Sequence, residues 1–197
     1  MIPFLSLFVF SFFIGAIPTA YLVGKVARGV DIRKEGSGNI GATNAFRVLG
    51  KGWGSFVLVF DFAKGFLPAW VYLRYFSLEF GPYKALWVGI AAILGHMFTP
   101  FLKFKGGKGV ATGAGALCAS YGGLFLITFG IWLLAFLTSR IVSLSSLVAI
   151  GSLAIAGWFM KLPPINNLLF LLIFLLVFWA HRSNVKRLLK GEEKKAI

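Results

Sequence analysis

Glycines, small polar residues and one guanidinium converge on a single short stretch, Gly36-Ser-Gly-Asn-Ile-Gly-Ala-Thr-Asn-Ala-Phe-Arg47. Gly36, Gly38 and Gly41 let the backbone approach a ligand and turn N–H groups toward one point. Ser37, Asn39, Thr43 and Asn44 add neutral hydrogen-bonding groups, and Arg47 adds a two-pronged cation. Convergent N–H groups with a guanidinium make a phosphate cradle. An ordinary polar turn does not need four amide or hydroxyl side chains in so apolar a chain, so an anion site is the better reading.

Three further groups could carry chemistry. In Lys103-Phe-Lys-Gly106-Gly107-Lys108-Gly-Val-Ala-Thr112, Lys108 stands between glycines just before an expected helix. Orphan N–H groups and the helix dipole favour an anion there. His181-Arg-Ser-Asn184, followed by Arg187, places His181 and Asn184 three apart, on one face of an expected helix, where they could share a ligand. Asp61-x-x-Lys64 puts two charges one turn apart inside an apolar segment, and such groups are paired, functional or both. For Gly95-His96 the simplest reading is packing.

Several common chemistries are excluded. Gly36-Ser-Gly38-Asn-Ile-Gly41 matches the dinucleotide pattern G-x-G-x-x-G, with Asp61 twenty residues beyond Gly41. The strand and βαβ unit that the pattern requires are missing. Gly106-Gly107-Lys108-Gly109 lacks the Ser or Thr that follows a P-loop lysine. There is no clustered His, Cys and Asp set for a metal and no Ser–His–Asp arrangement. Cys118, the single cysteine, excludes a disulfide frame and reads as a small packing residue.

The elements that must position these residues are apolar helices. Of 197 residues, 58% are hydrophobic and 13% charged, against about 25% charged in soluble domains. Charge is absent from 1–24, 109–139, 141–160 and 162–180, and a helical span needs roughly 20 apolar residues. The first run lacks a basic leader region, so it reads as a span rather than a cleavable signal. The expected architecture is all-α, a polytopic transmembrane bundle of about seven segments within one domain, 1–197. They fall at 2–24, 53–73, 84–102, 110–121, 123–138, 141–160 and 165–181, with a turn at Gly122-Gly123. The segment 110–121 is short for a crossing, and five crossings with broken helices is the alternative. Net charge is +14. Cations cluster after the first and third segments and in the tail, which predicts an outside N-terminus and a cytoplasmic C-terminus. These cations would face anionic headgroups rather than nucleic acid.

The ordered motifs Ser37-Gly-Asn39-x-Gly41-x-Thr43-Asn44-x-x-Arg47, Gly106-Gly-Lys108-Gly-Val-Ala-Thr112 and His181-Arg-Ser-Asn184-x-x-Arg187 resemble those of the bacterial acyl-phosphate:glycerol-3-phosphate acyltransferase family. Asp61-x-x-Lys64-Gly65 and Gly95-His96 fit the same pattern, whereas Gly191-Glu-Glu193 departs from it at a place expected to touch nothing central. The His-x4-Asp dyad of soluble-type glycerolipid acyltransferases is absent, since Phe101 and Lys186 stand five residues after the two histidines. The resemblance implies transfer of a fatty acyl group from acyl phosphate to the 1-hydroxyl of glycerol 3-phosphate, giving lysophosphatidic acid and inorganic phosphate. It implies no cofactor and a bacterial cytoplasmic membrane, with the active site facing the cytoplasm. The partners would be membrane lipids and, functionally, the soluble enzyme that makes acyl phosphate.

Chemistry and resemblance together assign Ser37, Arg47 and Lys108 to the acceptor phosphate or the transition-state charge. Thr43, Asn44 and the Gly38–Gly41 backbone would cradle the acyl phosphate, and His181 and Asn184 would orient the reacting groups. Asn39, Asp61, Lys64, His96, Gly106 and Gly107 complete the expected substrate-binding set. The rival reading, a transporter of an organic phosphate, calls for polar residues along several spans, and only Asp61 and Lys64 supply them.

Overall fold

The structure, a computed structural model, describes residues 2–196, and every regular element among them is helical. In chain order they are α1 (Ile2–Ala16), α2 (Thr19–Arg28), α3 (Ala42–Leu49), α4 (Lys51–Tyr75), α5 (Ser77–Phe80), α6 (Lys84–Met97), α7 (Val110–Ser120), α8 (Gly122–Ser139), α9 (Val142–Phe159), α10 (Pro164–Ala180) and α11 (Arg182–Leu189). Short 3₁₀ turns occupy Ile32–Lys34 and Pro100–Leu102. The chain forms two compact units, Met1–Ser120 and Tyr121–Ile197.

In the first unit, lipid supplies no hydrophobic drive between helices, so close backbone packing must do so. α1 lies on α6 through two reciprocal glycines. A Cβ on Gly15 would overlap the Ala92 backbone, and one on Gly95 would overlap that of Phe12. α4 and α7 repeat the device, with Gly65 against the Thr112 carbonyl and Gly115 against that of Phe62. Ser11 donates to the Val88 carbonyl at 2.7 Å, and the Tyr72 hydroxyl donates to that of Gly81 at 2.9 Å.

The expected first segment, 2–24, is two helices rather than one. Pro18 has no N–H to continue the ladder and restricts Ile17 before it, so α1 stops at Ala16 and α2 starts at Thr19. Carbonyls freed at membrane depth need donors. Thr99 Oγ1 donates to the Ala16 carbonyl at 2.6 Å, and Lys64 Nζ donates to that of Ile17 at 2.5 Å.

In the second unit, α8 and α9 form a hairpin whose corner is Arg140 in the left-handed region (φ 59°). Trp132 Nε1 donates to Ser146 Oγ across it at 3.2 Å. α10 begins at the Pro163-Pro164 turn after Lys161, as expected, and meets α11 at a bend of 64°. Near the start of the unit, Asn166 Nδ2 donates to the Tyr121 hydroxyl.

All seven expected segments are helical, and the corrections are the break within 2–24 and the position of the turn between the fourth and fifth segments. Among the described residues, five stretches are long and apolar enough to cross a membrane, namely Phe4–Arg28, Lys51–Tyr75, Lys84–Leu102, Gly122–Ser139 and Val142–Phe159, and the bent pair α10–α11, taken as one span, makes a sixth. α7 has 11 residues, about 16 Å of helix against a hydrocarbon core of about 30 Å. It packs closely on α4. The expected Gly122-Gly123 turn falls at Tyr121, and both glycines lie in the first turn of α8.

Candidate active site

The first motif is half loop and half helix. Gly36 (φ 60°) and Gly38 (φ 71°) take the left-handed backbone that L side chains resist. The chain then enters α3, so Thr43 and Arg47 stand one turn apart on a helix, Thr43 half-buried and Arg47 exposed. Asn44 on the same helix is buried, and its amide closes the loop. Oδ1 accepts from the Ser37 N–H at 2.8 Å, while Nδ2 donates to the carbonyls of Ile32 and Glu35 at 3.2 and 3.1 Å. Asn39 Oδ1 accepts from the Gly41 N–H at 2.9 Å, and Gly38 N–H donates to the Glu35 carbonyl at 2.9 Å.

The expected phosphate cradle of Gly38–Gly41 N–H groups is therefore largely spent inside the loop. The groups turned outward are the exposed Ser37 hydroxyl, Thr43, Arg47 and the first-turn N–H groups of α3, which an α-helix cannot satisfy from its own carbonyls. Nearby Arg33 is engaged elsewhere. Asp31 accepts from its Nε and Nη2 at 2.9 and 2.6 Å, and the guanidinium lies 4.7 Å from the Tyr21 ring centroid. Hydrogen bonds from Arg33 hold the Asp31 carboxyl well below the usual carboxylate range.

The second motif folds back onto the end of α6. Gly106 and Gly107 N–H donate to the carbonyls of Met97 and His96, each at 3.0 Å. Gly109 (φ 77°) then turns the chain into α7, leaving half-buried Lys108 two residues before the first helical position. A cation there adds to the positive end of the helix, and together they favour an anion.

Beneath this loop lie the charges of the fourth group. Asp61, Lys64 and His96 are 1%, 3% and 7% exposed. Lys64 Nζ sits 2.7 Å from Asp61 Oδ1, and His96 Nδ1 sits 3.8 Å from the same oxygen. Lys64 spends a further hydrogen bond on the broken-helix carbonyl of Ile17. These three residues form an internal network within the first unit.

The third motif belongs to the second unit. His181 is the residue at the α10–α11 bend, so it does not share one straight helix with Asn184 as the spacing suggested. Its Nδ1 lies 2.8 Å from the Val177 carbonyl. A carbonyl only accepts, so Nδ1 carries the proton and Nε2 is the acceptor of the neutral ring. Asn184 Nδ2 donates to Glu193 Oε1 at 2.5 Å, Ser143 Oγ donates to the same oxygen at 2.7 Å, and Arg187 Nε donates to Oε2 at 2.6 Å. Burial pushes the Glu193 carboxyl up, but these hydrogen bonds and the Arg187 charge outweigh it and lower its pKa.

The tail segment expected to touch nothing central thus holds two residues of the third motif. Glu193 and Ser143 are the partners of this motif that the sequence reading missed. The available signal was that Glu192 and Glu193 are the sole acids after Glu79, set among cations.

An all-helical bundle with five or six membrane-length apolar helices among the described residues, and with glycine-rich cationic loops before α3 and α7, defines an integral membrane protein. Residues 5–191 match the family model described as glycerol-3-phosphate acyltransferase. A glycerol-3-phosphate acyltransferase of Macrococcus caseolyticus is 44% identical over 190 residues, covering 96% of this chain and 95% of its own. That of Aquifex aeolicus is 41% identical over 194 residues, covering 96% and 97%. The crystal structure of PlsY (YgiH), an integral membrane glycerol 3-phosphate acyltransferase in its glycerol 3-phosphate form, is 38% identical with a TM-score of 0.91, covering 98% of this chain and 95% of that one. The chain belongs to the glycerol-3-phosphate acyltransferase family, and it is an integral membrane acyltransferase.

Proposed function

We propose that this enzyme transfers a fatty acyl group from acyl phosphate to the 1-hydroxyl of glycerol 3-phosphate, on the cytoplasmic face of a bacterial membrane. PlsY, the solved relative, is known in glycerol 3-phosphate and lysophosphatidic acid forms, which supports the acceptor and the product. The observation that carries the reading is the pair of helix starts in the motifs, α3 with the first-turn N–H groups of Ala42 and Thr43, and α7 with Lys108 two residues before it. Two such sites suit a reaction that brings two phosphates together. Both units contribute motifs of the family, whose model spans them, and they act as one domain.

In the reaction the acceptor hydroxyl oxygen bonds to the acyl carbonyl carbon, and the bond from that carbon to the phosphate oxygen breaks. The hydroxyl proton goes to a phosphate oxygen, so inorganic phosphate leaves as the hydrogen phosphate. Acyl phosphate is a mixed anhydride with a good leaving group, so positioning and charge stabilisation supply much of the barrier reduction. Ser37, Arg47 and Lys108 hold the acceptor phosphate and the developing charge. Thr43 and the first-turn N–H groups of α3 cradle the donor phosphate, with Asn39 and Asn44 holding the loop that presents them. His181 and Asn184 orient the reacting groups. A soluble enzyme that makes acyl phosphate supplies the donor, and the acyl chain stays among the helices and lipids.

The test is purified protein in phospholipid vesicles given palmitoyl phosphate and labelled glycerol 3-phosphate. Labelled lysophosphatidic acid is expected, with equimolar phosphate release. Product from palmitoyl-CoA but none from palmitoyl phosphate overturns the donor. Labelled glycerol 3-phosphate entering the vesicles without acylation supports the transporter instead.

A further inference from the structure

Asp61, Lys64 and His96 are buried ionisable groups that the transfer chemistry leaves without a task. The His96 ring is bounded on both edges. Its Nδ1 edge faces Asp61 Oδ1 at 3.8 Å, and that carboxylate oxygen is held by Lys64 Nζ at 2.7 Å. Lys64 is itself anchored on the Ile17 carbonyl at the helix break. The Nε2 edge fills the space that a Cβ at Gly107 would need. The backbone carbonyl of the same histidine accepts the Gly107 N–H at 3.0 Å. Gly107 is therefore seated on His96 by both backbone and ring, and Lys108 is the next residue.

We infer that His96 is a positioning residue for Lys108, acting through Gly107, with Asp61 and Lys64 fixing where the imidazole stands. A ring enclosed by a carboxylate on one side and a glycine backbone on the other is a floor for the loop rather than a contact for substrate. A glycine is needed at 107 because the imidazole lies flush against the chain. The reach of Lys108 is then set by a stack of contacts from the helix break through α4 and α6 to the loop. This inference rests on the reading that Lys108 holds the acceptor phosphate.

The test is steady-state kinetics of His96→Ala, His96→Gln, Gly107→Ala, the pair His96→Ala with Gly107→Ala, and Lys108→Ala. Misplacing a binding group by about 1 Å costs tenfold or more. KM for glycerol 3-phosphate is therefore expected to rise about tenfold in His96→Ala, with KM for palmitoyl phosphate within about twofold of wild type. Gln, which keeps the volume, should recover part of that loss. Gly107→Ala should be impaired in the same constant, and removing the imidazole in the pair should restore activity above that of Gly107→Ala alone. If the pair is no better than Gly107→Ala, or if both KM values move together, His96 does not position the loop. Lys108→Ala separates the two levels. An unchanged acceptor KM there brings down the assignment of Lys108, whereas a raised one, with His96 variants unaffected, brings down the positioning role alone.

Discussion

Asn44 and Glu193 do the same work in different motifs, for each is a polar group buried to hold others in place. Asn44 uses its amide oxygen and both amide hydrogens on one loop. Glu193 gathers Ser143, Asn184 and Arg187. Because the Glu193 pKa is lowered in the folded protein, its stabilisation is present above the ordinary carboxylate pKa and is lost as pH falls through the folded value. Glu193→Gln should cost about 1–3 kcal/mol at neutral pH, measured as thermal unfolding in detergent, and the difference from wild type should shrink as the medium is acidified. A difference that holds constant into acid would show that the carboxylate charge is not what holds the tail. For His181, replacement by Ala is expected to slow turnover but keep the pH–rate limb near neutrality, since a phosphate oxygen takes the proton. A severe loss whose residual rate lacks that limb would make His181 the base. The candidate residues were visible in the sequence because glycine, hydroxyl and cation types cluster locally. The tasks of Asn44 and Glu193 were not, because each depends on where a loop or tail folds back, which neither spacing nor composition encodes.

At the scale of elements, the helices follow the uncharged runs, and their corrections have local causes. Pro18 was present in the sequence, yet the run 2–24 carries no charge to mark its interruption. Gly122-Gly123 suggested a turn, but Tyr121 takes it and the glycines enter α8. α7 has 11 residues and is closely packed, with Gly65 and Gly115 bringing its backbone against α4. The Asp61–Lys64 pair, which the sequence left open between structure and function, is tied to these elements by the Ile17 carbonyl. Lys64→Met would leave the Asp61 carboxylate buried without its lysine and remove the side-chain donor to that carbonyl. A loss of about 3–5 kcal/mol is expected, again as thermal unfolding in detergent, and an unchanged midpoint would deny the network a structural role.

For the whole molecule, the distribution of charge predicts its orientation. Lys105 and the α11 tail should face the cytoplasm and Lys161 the outside. With Cys118 replaced by Ala, Lys105→Cys should react with a membrane-impermeant maleimide only after spheroplasts are opened, and Lys161→Cys before. The reverse pattern would turn the site to the other face. The number of crossings was less legible than the fold class. Apolar length measures what a segment could do in lipid, and α7, with 11 residues, and the pair α10–α11, bent by 64°, are not read by length alone.

The break at Pro18 ties together positions far apart in the chain. At the break, Thr99 donates to the Ala16 carbonyl, and Lys64, with Asp61 as its counter-ion, joins the Thr19 N–H on that of Ile17. Pro18, Thr99, Lys64 and Asp61 form one linked unit, because each contact depends on the others being in place. Restoring a continuous first helix with Pro18→Ala would close the ladder that Lys64 and Thr99 now serve and leave those side chains competing for filled acceptors. Anyone redesigning this enzyme for stability would need to exchange the four as a set, and a swap of single residues between relatives should fail wherever it crosses that set.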